Sequence, residues 1–206
     1  MHFEKVSYSR FSIDVNELYD KKINTDEAIN LMYNKIKLPK RSTEGSAGYD
    51  FVIPFSIDIY KGSSIVIPTG IRAVDVPNNV ALLLMPRSGL GFRYKVSLAN
   101  TIGLIDSDYY KAANEGHILV KICYEDFISV TKINDITLMN PETSTLSVST
   151  SRDISPNADK DVLHFNAGDR FCQGLFTYCL FVDEPCDEDT NKRIGGIGST
   201  GNNWFI

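Results

Sequence analysis

The stretch IVIPTGIRAVDVPNNVALLLMP, residues 65–86, decides the fold class of this chain. It holds three short apolar runs, and the turn-forming triplets PTG and PNN separate them. Two further runs follow at residues 95–99 and 118–124. Short strands at a spacing near ten residues, broken by Gly, Pro and Asn, are typical of β-barrels and β-sandwiches. The sequence therefore predicts an all-β fold.

The N-terminal part of the chain has a different texture. Asn24 to Ile36 is the best helix candidate, because Thr25 is a good N-cap and apolar residues recur on one face. Residues 3–15 have a mixed pattern that could hold a strand. We predict that residues 1–36 form a short extension with helical structure.

The rest of the chain divides by composition. Residues 140–161 are rich in Ser, Thr, Asn, Asp and Pro, which favours a solvated loop, and strand-like sequence resumes at 162–165 and 171–182. We predict a β-domain over residues 37–192 with a polar insert at about 126–165, and a glycine-rich C-terminal arm over residues 193–206.

The bulk composition excludes several classes of protein. A net charge of -5 argues against duplex nucleic acid as a partner, because such binding depends on Lys and Arg neutralising phosphates. The chain has neither an apolar run long enough to span a membrane nor a signal-peptide pattern. Its four cysteines form no CxxC pair and suit reduced, buried thiols. We therefore expect a cytoplasmic or nuclear protein that is not secreted.

Two segments carry side chains suited to a nucleotide. In Pro86-Arg87-Ser88-Gly89, Arg87 offers a planar fork for phosphate oxygens, Ser88 a hydroxyl, and Gly89 an amide that a ligand can approach closely. An ordinary turn with a surface arginine explains this segment equally well. In residues 103–109, GLIDSDY, a carboxylate follows an apolar strand beside an aromatic ring and could position a water or a sugar hydroxyl. A turn that closes a hairpin is the simpler account of that segment.

Two later segments are weaker when taken alone. Residues 168–173, GDRFCQ, predict a hairpin turn entering a strand, and Gln173 could contact a phosphate or face solvent. Residues 195–201, GGIGSTG, could wrap a polyphosphate with successive amides, or be a glycine-rich tail without a function. The tail lacks the lysine of a Walker A loop.

The order of these segments is more specific than any one of them. Together with residues 47–50, AGYD, they resemble the five signature segments of trimeric dUTPases in sequence order. The resemblance covers Lys37 to Gly201 apart from the polar insert. It implies a distorted jelly-roll β-barrel and a homotrimer whose three sites are shared between subunits. It also implies hydrolysis of dUTP to dUMP and pyrophosphate with Mg²⁺.

The resemblance assigns the nucleoside to the third segment. Asp106 would be the catalytic residue that orients the attacking water, and Tyr109 would lie under the deoxyribose and exclude a 2′-hydroxyl. A hairpin from Asn100 to Ile105 would read uracil through backbone and amide groups, which adds Gly103 and Leu104 to the expected site. Because cytosine reverses the donor and acceptor of uracil, a mismatch there would cost about 1–3 kcal/mol per unpaired group.

The resemblance assigns the phosphates to other subunits. Arg87, Ser88, Gly89 and Gln173 would hold the phosphate chain. The triphosphate and waters would bind Mg²⁺, with no direct protein ligand and Asp50 as an outer-shell candidate. A lid from the C-terminal arm would close over the substrate. The expected lid contacts are Arg193, Ile197, Gly198, Ser199 and Thr200.

This chain departs from the family pattern in three places. Lys192 stands where the fifth segment has arginine, and Ile197 stands where it has the phenylalanine that stacks on uracil. Residues 110–115 are inserted before Gly116. The extension and the polar insert have no counterpart in the family core and could contact an unknown protein partner. The three histidines (His2, His117 and His164) receive no role.

Three alternatives to a dUTPase stay open. A dCTP deaminase shares the fold, but Gly89 after Arg87-Ser88, with Asp106 and Tyr109 in one run, favours hydrolysis. A descendant with weakened catalysis that binds a nucleotide or a protein partner would explain the altered arm. A structural β-barrel subunit leaves the ordered segments unexplained.

Overall fold

The computed structural model describes residues 1–19, 25–125 and 161–181, together with the backbone course of two strands at 133–138 and 146–150. Three helices occur in these residues: α1 (Tyr8–Leu18), α2 (Asp26–Lys35) and α3 (Ser88–Tyr94). Tyr109–Lys111 form a 3₁₀ turn. The strands are β1 (His2–Lys5), β2 (Lys40–Arg41), β3 (Tyr49–Val52), β4 (Ile57–Tyr60), β5 (Ser64–Pro68), β6 (Ile71–Val74), β7 (Val80–Pro86), β8 (Val96–Leu98), β9 (Gly103–Ile105), β10 (Leu119–Tyr124), β11 (Ile133–Leu138), β12 (Leu146–Thr150), β13 (Val162–Phe165) and β14 (Arg170–Tyr178).

All the strand pairs are antiparallel, and they form five sheets within the described residues. The largest has the order β2-β3-β14-β7-β9, and a second has the order β5-β10-β8. The remaining sheets are the pairs β1-β6, β4-β13 and β11-β12. The prediction of an all-β fold from the apolar runs at 65–86 is confirmed, since those runs are β5, β6 and β7.

The N-terminal extension is part of the folded core. β1 pairs with β6, and Val6, Phe11, Val15 and Ile29 have no exposed surface. The predicted helix at 24–36 is confirmed as α2, whose N-cap Thr25 accepts a hydrogen bond from the amide of Ala28. Burial of these side chains in the common core means that β1, α1 and α2 pack together with the strands of the β-domain.

The mixed pattern at residues 3–15 holds a strand only at its start. Residues 3–5 belong to β1, and most of the rest is the helix α1, which the sequence did not predict. That helix was hidden because its buried face includes the polar Asp14 beside Phe11 and Val15, which disturbs the apolar pattern. A further helix, α3, follows directly from Arg87 in the β-domain.

Three strands lie within the range of 126–165 that we predict for the polar insert. β13 pairs with β4 and buries Leu163 and Phe165 in the core. β11 and β12 pair with each other.

The core lies between the sheets and the N-terminal helices. Phe51 and Phe171 are fully buried, and the ring of Phe3 from β1 meets Phe51 edge to face with 5.5 Å between centroids. Burying such a ring contributes roughly 1.5–3 kcal/mol. No helix in the described ranges is long and apolar enough to cross a membrane.

Candidate active site

Arg87 and Gln173 line one polar pocket, as the sequence predicts for the phosphate contacts. The pocket has a volume of about 370 Å³ and also includes Gly48 and Asp50 from the AGYD segment. Gln173 pairs with Met85 across β14 and β7, which places it beside Arg87 at the end of β7. A Cβ atom on Gly48 would lie 3.0 Å from Oε1 of Gln173, so glycine leaves the room that this side chain occupies.

Asp50 forms ion pairs with Arg87 of this pocket and with Arg170 beside it. One of its oxygens lies 3.1 Å from Nε of Arg87, and the other lies 3.1 Å from a terminal nitrogen of Arg170. Ser42 donates a hydrogen bond to the second oxygen at 2.5 Å. The Asp50 side chain is only 12% exposed, whereas its arginine partners are partly open to solvent. These contacts make Asp50 an anchor for arginine side chains.

Ser88 and Gly89 begin helix α3, with Arg87 as its N-cap residue. A side chain at Gly89 would meet no heavy atom within 4 Å, so space is open around this residue. The segment therefore continues into a helix rather than ending in an isolated turn.

A second pocket contains four of the six residues that the sequence predicts for the nucleoside, whereas Asp106 and Tyr109 are not among its lining residues. Its volume is about 600 Å³, and Asn100, Gly103, Leu104 and Ile105 line it. The remaining lining residues come from β5, β7, β8, β10 and the loop after β8: Val66, Leu84, Leu98, Ala99, Ile102, Leu119, Val120 and Lys121. Sequence reasoning missed these residues, because their apolar pattern is that of any buried strand.

The segment from Asn100 to Ile105 is not a hairpin, in contrast to our expectation. β8 pairs with β10 and β9 pairs with β7, so the chain crosses from one sheet to another between them. The crossing is a tight turn in which the amide of Thr101 bonds the carbonyl of Leu98 and Thr101 has a φ of 62°. The turn opens the space between the sheets that becomes the pocket.

Among the described residues, β9 is an edge strand of the five-stranded sheet and pairs with β7 alone. Alternate backbone groups of an edge strand point away from its neighbour. All three residues of β9 line the pocket, so its backbone lies at the wall of that space. Such a strand can read the donors and acceptors of a base much as a second strand would.

Asp106 and Tyr109 form a turn immediately after β9. The amide of Tyr109 bonds the carbonyl of Asp106 at 3.2 Å. Tyr109 is 5% exposed, and its hydroxyl donates to the carbonyl of His117 at 3.1 Å and accepts from Asn114 at 2.8 Å. These two hydrogen bonds fix the position of the Tyr109 ring, which we expect to lie under the deoxyribose.

The two predicted halves of the site lie far apart within one chain. Asp106 follows Ile105, whose partner on β7 is Leu82, whereas Arg87 lies just beyond the other end of β7. Six residues of extended strand separate these positions, which corresponds to about 20 Å. The structure brings Arg87 together with Gln173, and Asp106 together with Tyr109, but does not join the two pairs.

Among residues 1–19, 25–125 and 161–181, no group of three or more His, Cys, Asp or Glu side chains could bind a metal. The expected lid contacts lie outside the described residues, as does Lys192; they are Arg193, Ile197, Gly198, Ser199 and Thr200.

The 168–173 segment forms a turn, with a φ of 95° at Gly168, but it leads from β13 to β14 in different sheets. The expected hairpin there was wrong.

Comparison with known proteins supports one family. The sequence model of the dUTPase family matches residues 34–132. The deoxyuridine 5′-triphosphate nucleotidohydrolase of Lactococcus lactis subsp. lactis (strain IL1403) is 30% identical over 167 residues, which are 81% of this chain and 89% of that protein. The chain belongs to the dUTPase family.

A second dUTPase relative matches a shorter region at higher identity. The deoxyuridine 5′-triphosphate nucleotidohydrolase of Haemophilus influenzae (strain PittEE) is 42% identical over 91 residues. This match covers 43% of the chain and spans 60% of the length of that relative. The stronger likeness is thus confined to part of the molecule.

Solved dUTPase structures share the fold. The dUTPase from Streptococcus mutans gives a TM-score of 0.53 at 24% identity, covering 89% of this chain and all of that one. The dUTPase from phage phi11 of S. aureus, whose structure shows a species-specific insert, gives a TM-score of 0.51 at 19% identity. It covers 78% of this chain and 95% of that chain.

Proposed function

We propose that this protein hydrolyses dUTP to dUMP and pyrophosphate, in sites that neighbouring copies of the chain build together. The observation that carries the proposal is the edge strand β9, which lines a pocket of nucleoside size and leads directly into Asp106. Family membership supports the same reaction, since the Lactococcus lactis relative is named for it.

The base would be read by the backbone of β9. Uracil offers an acceptor, a donor and a second acceptor along one edge, which suits the alternating groups of an extended strand. Asn100 adds an amide on the same wall of the pocket. A buried group of cytosine that faced the wrong partner would cost about 1–3 kcal/mol, which suffices for selection.

Asp106 would orient the attacking water and take its proton. The water oxygen forms a bond to the α-phosphorus as the bond from that phosphorus to the bridging α,β-oxygen breaks, and pyrophosphate leaves. The ring of Tyr109 would exclude a ribose, because its hydroxyl is fixed by His117 and Asn114 and the ring has little freedom to move aside. Bound Mg²⁺ would neutralise charge on the triphosphate.

Arg87 and Gln173 would bind the phosphates from a second subunit. Because about 20 Å of strand backbone separates Arg87 from the position of Asp106, we assign the two residues of one nucleotide site to different chains. A symmetric trimer allows this arrangement, because each interface can join the two halves. Asp50 would keep Arg87 extended toward the phosphates through its ion pair.

The magnesium ion would be carried by the substrate itself, because Mg²⁺ binds readily through substrate phosphates and waters. The expected lid would add amides and hydroxyls from the 195–201 segment.

Product analysis tests the proposal. The protein is incubated with dUTP, dCTP, dTTP and UTP, each with and without Mg²⁺, and the products are separated by chromatography. We expect dUMP and pyrophosphate from dUTP, and no products from dCTP, dTTP or UTP. The Asp106→Asn variant should lose the activity, whereas Asp108→Asn, the same change two residues away, should keep most of it. Ammonia release from dCTP would indicate a deaminase instead, and an absence of dUTP turnover in the unaltered protein would refute the assignment.

A further inference from the structure

The N-terminal extension makes a polar contact with the loop that carries Tyr109. The amide of Ser7 and its hydroxyl both donate to the carboxylate of Glu115, at 2.8 and 2.6 Å. Ser7 is also the N-cap of α1, where its oxygen accepts from the amide of Arg10. The start of α1 is thus clamped to the loop between the 3₁₀ turn and β10.

A second contact lies deeper and is shielded from solvent. His117 has no exposed surface, and the side chain of Asp14 is 6% exposed. Nδ1 of His117 lies 2.5 Å from Oδ2 of Asp14, while Nε2 of the ring accepts from the amide of Gly70 at 2.8 Å. Because an amide can only donate, Nε2 carries no proton, and Nδ1–H donates to Asp14. Arg10 binds both oxygens of that carboxylate.

The same histidine holds Tyr109 through its backbone. The hydroxyl of Tyr109 donates to the carbonyl of His117, and Asn114 donates to that hydroxyl. Gly116, between them, has a φ of 71°, and a Cβ there would lie 2.4 Å from Cα of Tyr110. The loop therefore has one tight conformation, in which the placement of His117 fixes the placement of Tyr109.

We infer that Asp14, in the N-terminal extension, is a positioning residue that sets the discrimination between deoxyribonucleotides and ribonucleotides by holding His117 and, through it, Tyr109. The inference rests on the proposed function, in which the Tyr109 ring excludes the 2′-hydroxyl. It also gives the extension and His117 a role in specificity.

The polar contact is not needed to attach the extension. β1 is already paired with β6, and Val6, Phe11 and Val15 are fully buried against the core. A buried charge costs free energy unless it is well paired, and apolar side chains of similar size often stabilise a core as much. What the Asp14 contact adds is a directional bond to one ring nitrogen, which fixes the orientation of His117.

The test compares variants at position 14 with a control on the same helix. Asp14→Ala removes the acceptor, Asp14→Asn keeps an oxygen for Nδ1–H, and Ile13→Ala alters a side chain of a residue that is 44% exposed. For each folded variant, kcat and KM are measured for dUTP and UTP. We expect Asp14→Ala to reduce the ratio of kcat/KM for dUTP over UTP by about tenfold, the scale of one lost hydrogen bond. Asp14→Asn should recover most of the ratio, and Ile13→Ala should match the unaltered protein.

The outcomes separate this inference from the proposed function. If the unaltered protein does not turn over dUTP, the proposed function fails and the inference falls with it. A second outcome is that the unaltered protein turns over dUTP while Asp14→Ala lowers kcat equally for both substrates and leaves both KM values, and the ratio of kcat/KM for dUTP over UTP, constant. In that case the contact is only structural and the inference alone is wrong. Should Asp14→Ala not fold, Glu115→Gln decides instead. It weakens the outer clamp, so we expect a smaller shift in the same ratio, and an unchanged ratio would overturn the inference.

Discussion

A mixture of two inactive variants tests whether the site is shared between subunits. Arg87→Ala removes the cation of the phosphate pocket, and Asp106→Asn removes the base. Both should fold, because Arg87 is 35% exposed and Asp50 keeps Arg170 and Ser42 as partners. Each variant alone should lose about 100-fold or more in kcat, as when one charge-stabilising group is removed from an active site.

The magnitude expected on mixing follows from the geometry. Arg87 and Asp106 lie about 20 Å apart along β7, and in the proposed site they come from different chains. In trimers assembled at random from equal amounts, half of the sites have an intact Asp106 and half of those receive an intact Arg87. The mixture should therefore recover about one quarter of the wild-type activity per site.

The assay is dUTP turnover after the two variants are refolded together, with native mass spectrometry of differently tagged chains to establish exchange. The double variant mixed with wild-type protein is the control. Shared sites predict about one quarter of full activity for this control as well, whereas sites within one chain predict about one half. Exchanged trimers of the two single variants that recover nothing would refute the reasoning from β7.

Three further predictions concern stability and ionisation. Gly116→Ala should lower the free energy of unfolding by at least about 1–2 kcal/mol, measured by urea denaturation, because its φ of 71° is left-handed and a Cβ would collide with Tyr110; an unchanged midpoint would contradict this. Phe51→Ala should cost about 3–5 kcal/mol in the same assay, since the ring is 1% exposed, and a cost below 1 kcal/mol would speak against the described core. The hydrogen bond that His164 donates to Asp58, with the one that it donates to Asn166, raises the pKa of His164. The contribution of this group to stability is therefore present below the unfolded value near 6.5 and is lost as the pH rises through the folded value. Asp58→Asn should lower that pKa in an NMR titration, and an unaltered titration would show that the pair does not form.

The local pattern of the chain was sufficient for most of the strands. Residues 65–86 form β5, β6 and β7 close to the bounds that the apolar runs suggest, and the N-cap Thr25 marks the start of α2. These elements are predictable because their signals, apolar periodicity, turn residues and caps, lie within a few neighbouring positions. Helix α1 escaped because burying Asp14 breaks that periodicity, and only its partners Arg10 and His117 make the burial tolerable.

Local sequence patterns did not predict which strands pair with each other. The turns at Thr101 and Gly168 look like hairpin turns in the sequence, yet each leads from one sheet to another. Which neighbour a strand takes is decided by long-range packing, since antiparallel hairpins and sheet crossings use the same turn residues.

By itself the sequence determined the fold class, the family resemblance and the residue types of the candidate site. From the order of its motifs we predicted that Arg87 contacts a phosphate and that Asp106 lies beside the nucleoside. Only the tertiary structure decided that Arg87 meets Gln173 and Asp50 in one pocket, that Asp106 lies at the far end of β7, and that α1 reaches Tyr109 through His117. The physical reason is that a motif fixes chemistry and local conformation, whereas distances between motifs depend on strand pairing and burial across the whole chain.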